Sequence, residues 1–220
     1  QDLSSLEVRR LTDDQSEHII NGTSDWVYEE EFWLRDGFRW SPDSRHIAYW
    51  QFDTEGVGTF YLINNTDSLY PQLTAIPYPR VGTTNSACRV GVIPADGGET
   101  TWFEPEGDPR GFYIPMMGWA AGAEEIWLVR LNRLQNTAEI MLGEISTGRL
   151  STVFTDHDGA WVDAVRDSSD PLRWRGLFHH KAGNHAEAIG RAYHDQDVDA
   201  LERALREFEA AARAEFRAWL

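Results

Sequence analysis

The stretch "GFRWSPDSRHIAYWQFD", residues 37–53, decides the fold. It reads as strand, turn, strand: Trp40 ends one strand, Ser41–Ser44 turn the chain, and Ile47–Phe52 alternate as a strand does. The stretch "MGWAAGAEEIWLVRLNR" (117–133) has the same shape, with Trp119 before a small-residue turn and Ile126–Leu131 after it. Each is followed by a second hairpin. These are "RVGVIPADGGETTWF" (89–103), turning at Asp96-Gly97-Gly98, and "AEIMLGEISTGRLSTVF" (138–154), turning at Thr147-Gly148. Glycine supplies the positive φ that such tight connections require. Two hairpins per unit make four antiparallel strands, the content of a propeller blade.

Residues 37–103 then read as one blade with a long insertion and 113–154 as the next. "SSLEVRRLT" (4–12) reads as the closing hairpin of an earlier blade and "AWVDAVRD" (160–167) as the opening of a later one. The expected fold class is mainly β: a partial β-propeller of about two complete four-stranded antiparallel blades with flanking strands. A small β-sandwich is the alternative. Two blades cannot close a ring, since propellers need about four or more, so their open edges call for a partner.

After Asp170 the composition changes. Residues 168–182 read as a linker and 183–220 as an α-helical hairpin, in which Leu201, Leu205, Phe208, Ala212 and Phe216 recur at helical steps. Asp199 and Glu202 have the spacing of a capping box. Gly190, Ala192, Tyr193, Ala200 and Leu201 faintly match one tetratricopeptide unit, which alone cannot bury its apolar face.

The formal charge of −16 argues against nucleic-acid binding and is compatible with a cationic ligand. No apolar run approaches the roughly 18 residues that span a membrane. Cys88 is the only cysteine, which leaves no intrachain disulfide and reads as a buried, inert thiol. The chain begins at Gln1 without a signal-like apolar region, the expectation for a fragment or a processed chain.

One segment is out of keeping with its neighbours. "SDWVYEEEFWLRDGF" (24–38) places Glu29, Glu30 and Glu31 in a row between large aromatics. From spacing alone they fit a solvated acidic turn near a helix N-terminus at Thr23–Asp25, where the macrodipole favours acids. Against that, Trp26, Tyr28, Phe32 and Trp33 would bury the turn.

"NGTSDWVYEEEF" (21–32), "RWSPDSRHIAYWQFD" (39–53), "YPRVGTTNSACRVGV" (78–92) and "RLNRLQNT" (130–137), in this order, resemble the dipeptidyl peptidase IV family. These are serine exopeptidases of the prolyl oligopeptidase clan. The likeness runs over residues 1–167 and does not extend into the tail. It implies an eight-bladed propeller capping an α/β-hydrolase domain, a homodimeric parent and a periplasmic or otherwise extracytoplasmic location. It also implies that Glu30 and Glu31 bind the free amino terminus of a peptide that is cleaved after Pro or Ala at its second position. An ammonium carries three donors and one charge, which two carboxylates can meet with charge-assisted bonds. Glu29 is the expected structural member of the trio. No cofactor is implied.

No G-x-S-x-G nucleophile elbow occurs in the 220 residues, so no catalytic residue is assigned and the chain alone is expected to be inactive. No metal site is expected either. His179, His180, His185 and His194 match no zinc spacing, and Asp156, Asp158 and Asp163 lack that of a calcium loop. The sequons at 21–23 and 64–66 read as turns. Two functional readings remain: the substrate-gating propeller portion of a serine dipeptidyl peptidase, or a non-catalytic interaction module with a tetratricopeptide-like tail.

Overall fold

The computed structural model describes residues 5–120 and 123–162, whose strands form three antiparallel sheets. At the centre of the first sheet lies β3 (His46–Asp53), paired on one side with β6 (Ala87–Pro94), beyond which β7 (Thr101–Phe103) closes the sheet. On its other side β3 meets two short strands. β1 (Ile19–Asn21) pairs with its C-terminal part, Ile19 opposite Asp53, and β2 (Phe38–Trp40) with its N-terminal part, Phe38 opposite Tyr49. Between β1 and β2 the chain leaves the sheet to form α1 (Trp26–Glu30).

The gap between these two strands is stitched at a single residue. The Gly22 amide donates to the Trp50 carbonyl and the Trp50 amide donates to the Gly37 carbonyl, both at 3.0 Å. The two ends of the excursion are pressed together there, because a Cβ on Gly37 would stand 2.3 Å from the Thr23 carbonyl oxygen. Only glycine fits at that approach.

The second sheet runs β8 (Phe112–Trp119), β9 (Glu125–Asn132), β10 (Thr137–Glu144) and β11 (Leu150–His157), each paired with the next. The Asn132 side-chain oxygen accepts from the Asn136 and Thr137 amides, both at 3.0 Å, and so shapes the β9–β10 turn. Ser41 plays a similar part between β2 and β3, its hydroxyl accepting from the Arg45 and His46 amides. The four hairpins of the two expected blades are all present.

The two sheets share one core. Trp50, Phe52, Val90, Val92 and Phe103 from the first pack with Ile114, Ile126, Leu128 and Met141 from the second. Removing such side chains from water stabilises by about 1.5–3 kcal/mol each. Gly143 leaves room for Phe103, whose ring would lie 2.6 Å from a Cβ there. The register of β8 with β9 shifts between Tyr113 and Met116. At that irregularity the Ile114 amide donates to the Tyr28 hydroxyl at 2.7 Å, and its carbonyl accepts from the Trp50 indole at 2.8 Å. Both peptide groups of Ile114 are thereby satisfied by side chains of the other sheet's sequence.

The insertion expected within 37–103 carries the third sheet, a ribbon of β4 (Thr59–Asn64) and β5 (Gln72–Pro77). It is exposed on both faces: Tyr61, Leu62, Ile63 and Leu73 all face solvent. Its base is held by aromatics, with the Tyr78 ring 4.9 Å from Trp26 and 5.4 Å from Phe60.

One expectation for the flanks needs correction. Residues 5–12 form no strand; Leu6 and Val8 stay exposed, with no strand beside them among the described residues to cover them. Arg9 reaches instead to the Ala95 carbonyl, and Arg10 pairs with Asp13. Residues 160–162 are likewise outside any strand. The rest of 160–167, the linker at 168–182 and the helical hairpin at 183–220 lie outside the described residues.

Candidate functional site

The excursion between β1 and β2 is short but firmly built. Asp25 caps α1, its carboxylate accepting from the Tyr28 amide at 2.9 Å. The Glu31 amide closes on the Val27 carbonyl at 2.8 Å. Trp33 then takes φ +54°, which turns the chain back so that the Leu34 amide reaches the Tyr28 carbonyl at 2.9 Å. A bulky residue in that left-handed conformation costs about 1–2 kcal/mol.

The helical spacing of Tyr28 and Phe32 puts both rings on the inner side. Tyr28 packs against Phe52 at 4.5 Å and Phe32 at 5.3 Å, and Phe32 against Tyr113 at 5.2 Å. The Tyr28 hydroxyl, through Ile114, ties the excursion to the second sheet as well. Of the four aromatics expected to bury the turn, Tyr28 and Phe32 do so. Trp26 and Trp33 do not: they remain 39% and 57% exposed, because the turn presents them on the side away from the core.

The three glutamates part company on this frame. Glu29 forms an ion pair with Arg35 and has the basic partner expected of a structural member. Glu30 and Glu31 are exposed, and neither carboxylate has a hydrogen bond or an ion pair among the described residues. Adjacent carboxylates of this kind can accept two charge-assisted bonds from one incoming cation.

Beneath the turn burial shifts the titratable groups. Burial lifts the Asp25 carboxyl above the ordinary aspartate range, against the pull of the neighbouring Ser86 hydroxyl and the Tyr28 amide. Burial also pushes the Tyr28 phenol well up, as does the neighbouring Cys88. Burial raises the Cys88 thiol as well, in keeping with an inert core cysteine. Tyr113 is raised chiefly by burial, with Glu31 adding in the same direction.

Sequence reasoning placed a helix N-terminus at Thr23–Asp25 without singling out Asp25 as its cap, and it missed Arg35. An aspartate directly before an aromatic helical turn is an N-cap signal and could have been read. Arg35 lies across a reversal of the chain and has no local spacing to betray it. Of the aspartates weighed as a calcium loop, Asp158 caps a turn, accepting from the Ala160 amide at 2.7 Å. Among the described residues no helix is long and apolar enough to cross a membrane.

A family model described as the dipeptidyl peptidase IV (DPP IV) N-terminal region matches residues 1–186. The chain belongs to that family. Its relatives include a probable dipeptidyl peptidase 4 of Aspergillus fumigatus, 29% identical over 70% of this chain and 21% of that protein. An inactive dipeptidyl peptidase 10 of Mus musculus is 29% identical over 82% of this chain and 25% of that protein. Among solved structures, the Porphyromonas gingivalis dipeptidyl peptidase 4 superposes with a TM-score of 0.64 at 28% identity, over 70% of this chain and 22% of that one. The chain thus spans between about a fifth and a quarter of the length of these relatives.

Proposed function

We propose that this chain is the amino-terminus-recognising, substrate-gating part of a dipeptidyl peptidase propeller, in which Glu30 and Glu31 clamp the ammonium of a peptide's first residue. The observation that carries this reading is the division of the glutamate run. Glu29 is paired with Arg35, while Glu30 and Glu31 stand exposed, without a partner among the described residues, on a turn fixed by Tyr28 and Phe32. The clamp measures from the free end of the peptide, so a blocked terminus is rejected. In this reading residues 1–167 are the propeller segment. The two larger sheets are successive blades of an eight-bladed ring, open to the remaining blades at their edges, and the assembled protein works outside the cytoplasm on peptides that it cleaves after Pro or Ala at the second position. The chain alone hydrolyses no such peptide, because its 220 residues hold no nucleophile elbow.

The apolar side chains exposed on both faces of the β4–β5 ribbon support a homodimeric parent. They equally favour the second reading, an interaction module without catalysis.

The deciding experiment places Glu30→Gln and Glu31→Gln, separately, in a complete peptidase carrying this chain. Loss of a charge-assisted bond of about 3 kcal/mol lowers kcat/KM for free-amine Xaa-Pro substrates on the order of a hundredfold. The melting temperature should hold, since both side chains are exposed and glutamine keeps their shape. Near-parental turnover in both variants would leave the acidic turn as a solvated surface and nothing more.

A further inference from the structure

Glu30 and Glu31 are neighbours in the chain, yet different parts of the molecule hold them. Glu30 is the last residue of α1, which is fixed to the first sheet by the Asp25 cap and by the Tyr28 ring against Phe52. Glu31 stands where the helix has ended, and the side chain that anchors the backbone beyond it is the buried Phe32. The Phe32 ring lies against two tyrosines, Tyr28 of α1 at 5.3 Å and Tyr113 of β8 at 5.2 Å. Tyr113 therefore reaches the turn from the second sheet, and it does so at the point where the register of β8 slips. It is half-buried, and its hydroxyl bonds to the Asn85 side chain. The charge of Glu31 is felt at that phenol, which burial has already raised.

Two carboxylates can share one ammonium only at a narrow range of separations, because charge-assisted hydrogen bonds are short. A displacement of about 1 Å in a binding group can cost on the order of a hundredfold in turnover. We propose that Tyr113 is a positioning residue for the clamp: its ring, pressed on Phe32, sets where Glu31 stands relative to Glu30. The proposal rests on the reading of those two glutamates as the ammonium clamp. One carboxylate then takes its place from the first sheet and the other from the second, so the spacing of the pair depends on how the two sheets are seated on each other. A shorter side chain at 113 leaves Phe32 a gap to relax into and shifts Glu31 with it, while Glu30 stays on its capped helix.

The test compares Tyr113→Leu and Tyr113→Phe in a complete peptidase carrying this chain, with Ala-Pro p-nitroanilide as the probe. Tyr113→Leu should raise KM about tenfold and leave kcat within about twofold. Tyr113→Phe, which keeps the ring, should restore most of the loss. Phe112→Leu, at the adjacent buried position of β8, should lower the melting temperature at least as far and leave KM at the parental value. A double-mutant cycle with Glu31→Gln decides whether Tyr113 acts through that carboxylate. In the Glu31→Gln background the further rise in KM from Tyr113→Leu should shrink to about twofold or less. The proposal is overturned if KM does not move, if Phe112→Leu raises it as much, or if the penalty is the same in both backgrounds, which would make Tyr113 a general support of the fold. If Glu31→Gln itself keeps parental kcat/KM, the clamp fails and the positioning role with it. If Glu31→Gln is damaged and the cycle is additive, the positioning role alone fails.

Discussion

The two larger sheets fill the same strand position in different ways. In the second sheet it is β8, a single strand of eight residues whose pairing with β9 slips once, between Tyr113 and Met116. In the first it is shared by β1 and β2, three residues each, with α1 looped out between them. The loss to the first sheet is small, because Gly22 and Gly37 meet the two backbone groups of Trp50 that an unbroken strand would have met. A strand can therefore give up its middle to carry a working turn if its two cut ends are brought together on one residue of the neighbour. Where the second sheet has one eight-residue strand, the first divides the position between two short strands and a turn.

That comparison breaks most readily at Tyr28. If the excursion is as firmly built as β8, Tyr28→Ala should destabilise the chain by about 3–5 kcal/mol, read from urea unfolding, because it removes a buried ring and orphans the Ile114 amide. A loss below about 1 kcal/mol would mean that the excursion is a loose loop hung on an otherwise independent sheet. Next come two glycines, one from each sheet. At Gly37 an added methyl meets backbone of Gly22 and Thr23, which cannot give way, whereas at Gly143 it meets the Phe103 ring, which can shift. Gly37→Ala should fall at or above the upper end of the roughly 1–3 kcal/mol typical of overpacking and Gly143→Ala below it, in the same denaturation assay. The reverse order would deny the stitch at Trp50 its role.

The features legible in the amino-acid sequence are those that rest on local chemistry. The four hairpins announce themselves through Asp96-Gly97-Gly98, Thr147-Gly148 and the Trp40-to-Ser44 and Trp119 turns, each flanked by strand-like alternation. The split strand does not. β1 is three residues long, too short for periodicity to register, and the more strand-like pattern at 4–12 masks it, although Leu6 and Val8 there have no strand to join among the described residues. Glu30 and Glu31 are legible through their unlikely company, but the fate of Glu29 is not, since Arg35 reaches it only after Trp33 reverses the chain. The expected burial of Trp26 and Trp33 follows from their size, and size alone does not say which side of a turn a ring will face.

Smaller effects sharpen the account of the turn. Asp25→Ala should cost about 1 kcal/mol as the N-cap is lost, whereas Asp25→Asn, which can still cap, should cost less. The pair also has a pH signature. Burial raises the Asp25 carboxyl, so the folded chain holds that proton more tightly than the unfolded one. The stability so gained is fully present below the unfolded aspartate's range and is lost as pH rises through the folded value. Melting temperatures of the parent should therefore fall relative to Asp25→Asn as pH climbs out of the acid range; a flat difference would mean that Asp25 is not desolvated. Least of all should be felt in the ribbon: Ile63→Thr, at an exposed site, should shift stability by no more than about 0.5 kcal/mol by differential scanning fluorimetry.

The bridging of Ile114 makes one hydrogen atom an informant. Its amide proton is held not by a strand partner but by the Tyr28 hydroxyl, and its carbonyl by the Trp50 indole. Fraying of the ladder between β8 and β9 would leave that proton covered, while any opening that lifts the first sheet from the second would bare it to solvent. In deuterated water its rate of exchange measures the parting of the sheets and little else, and a slow rate there beside faster ones along β11 would mark the seam as the last part of the molecule to come undone.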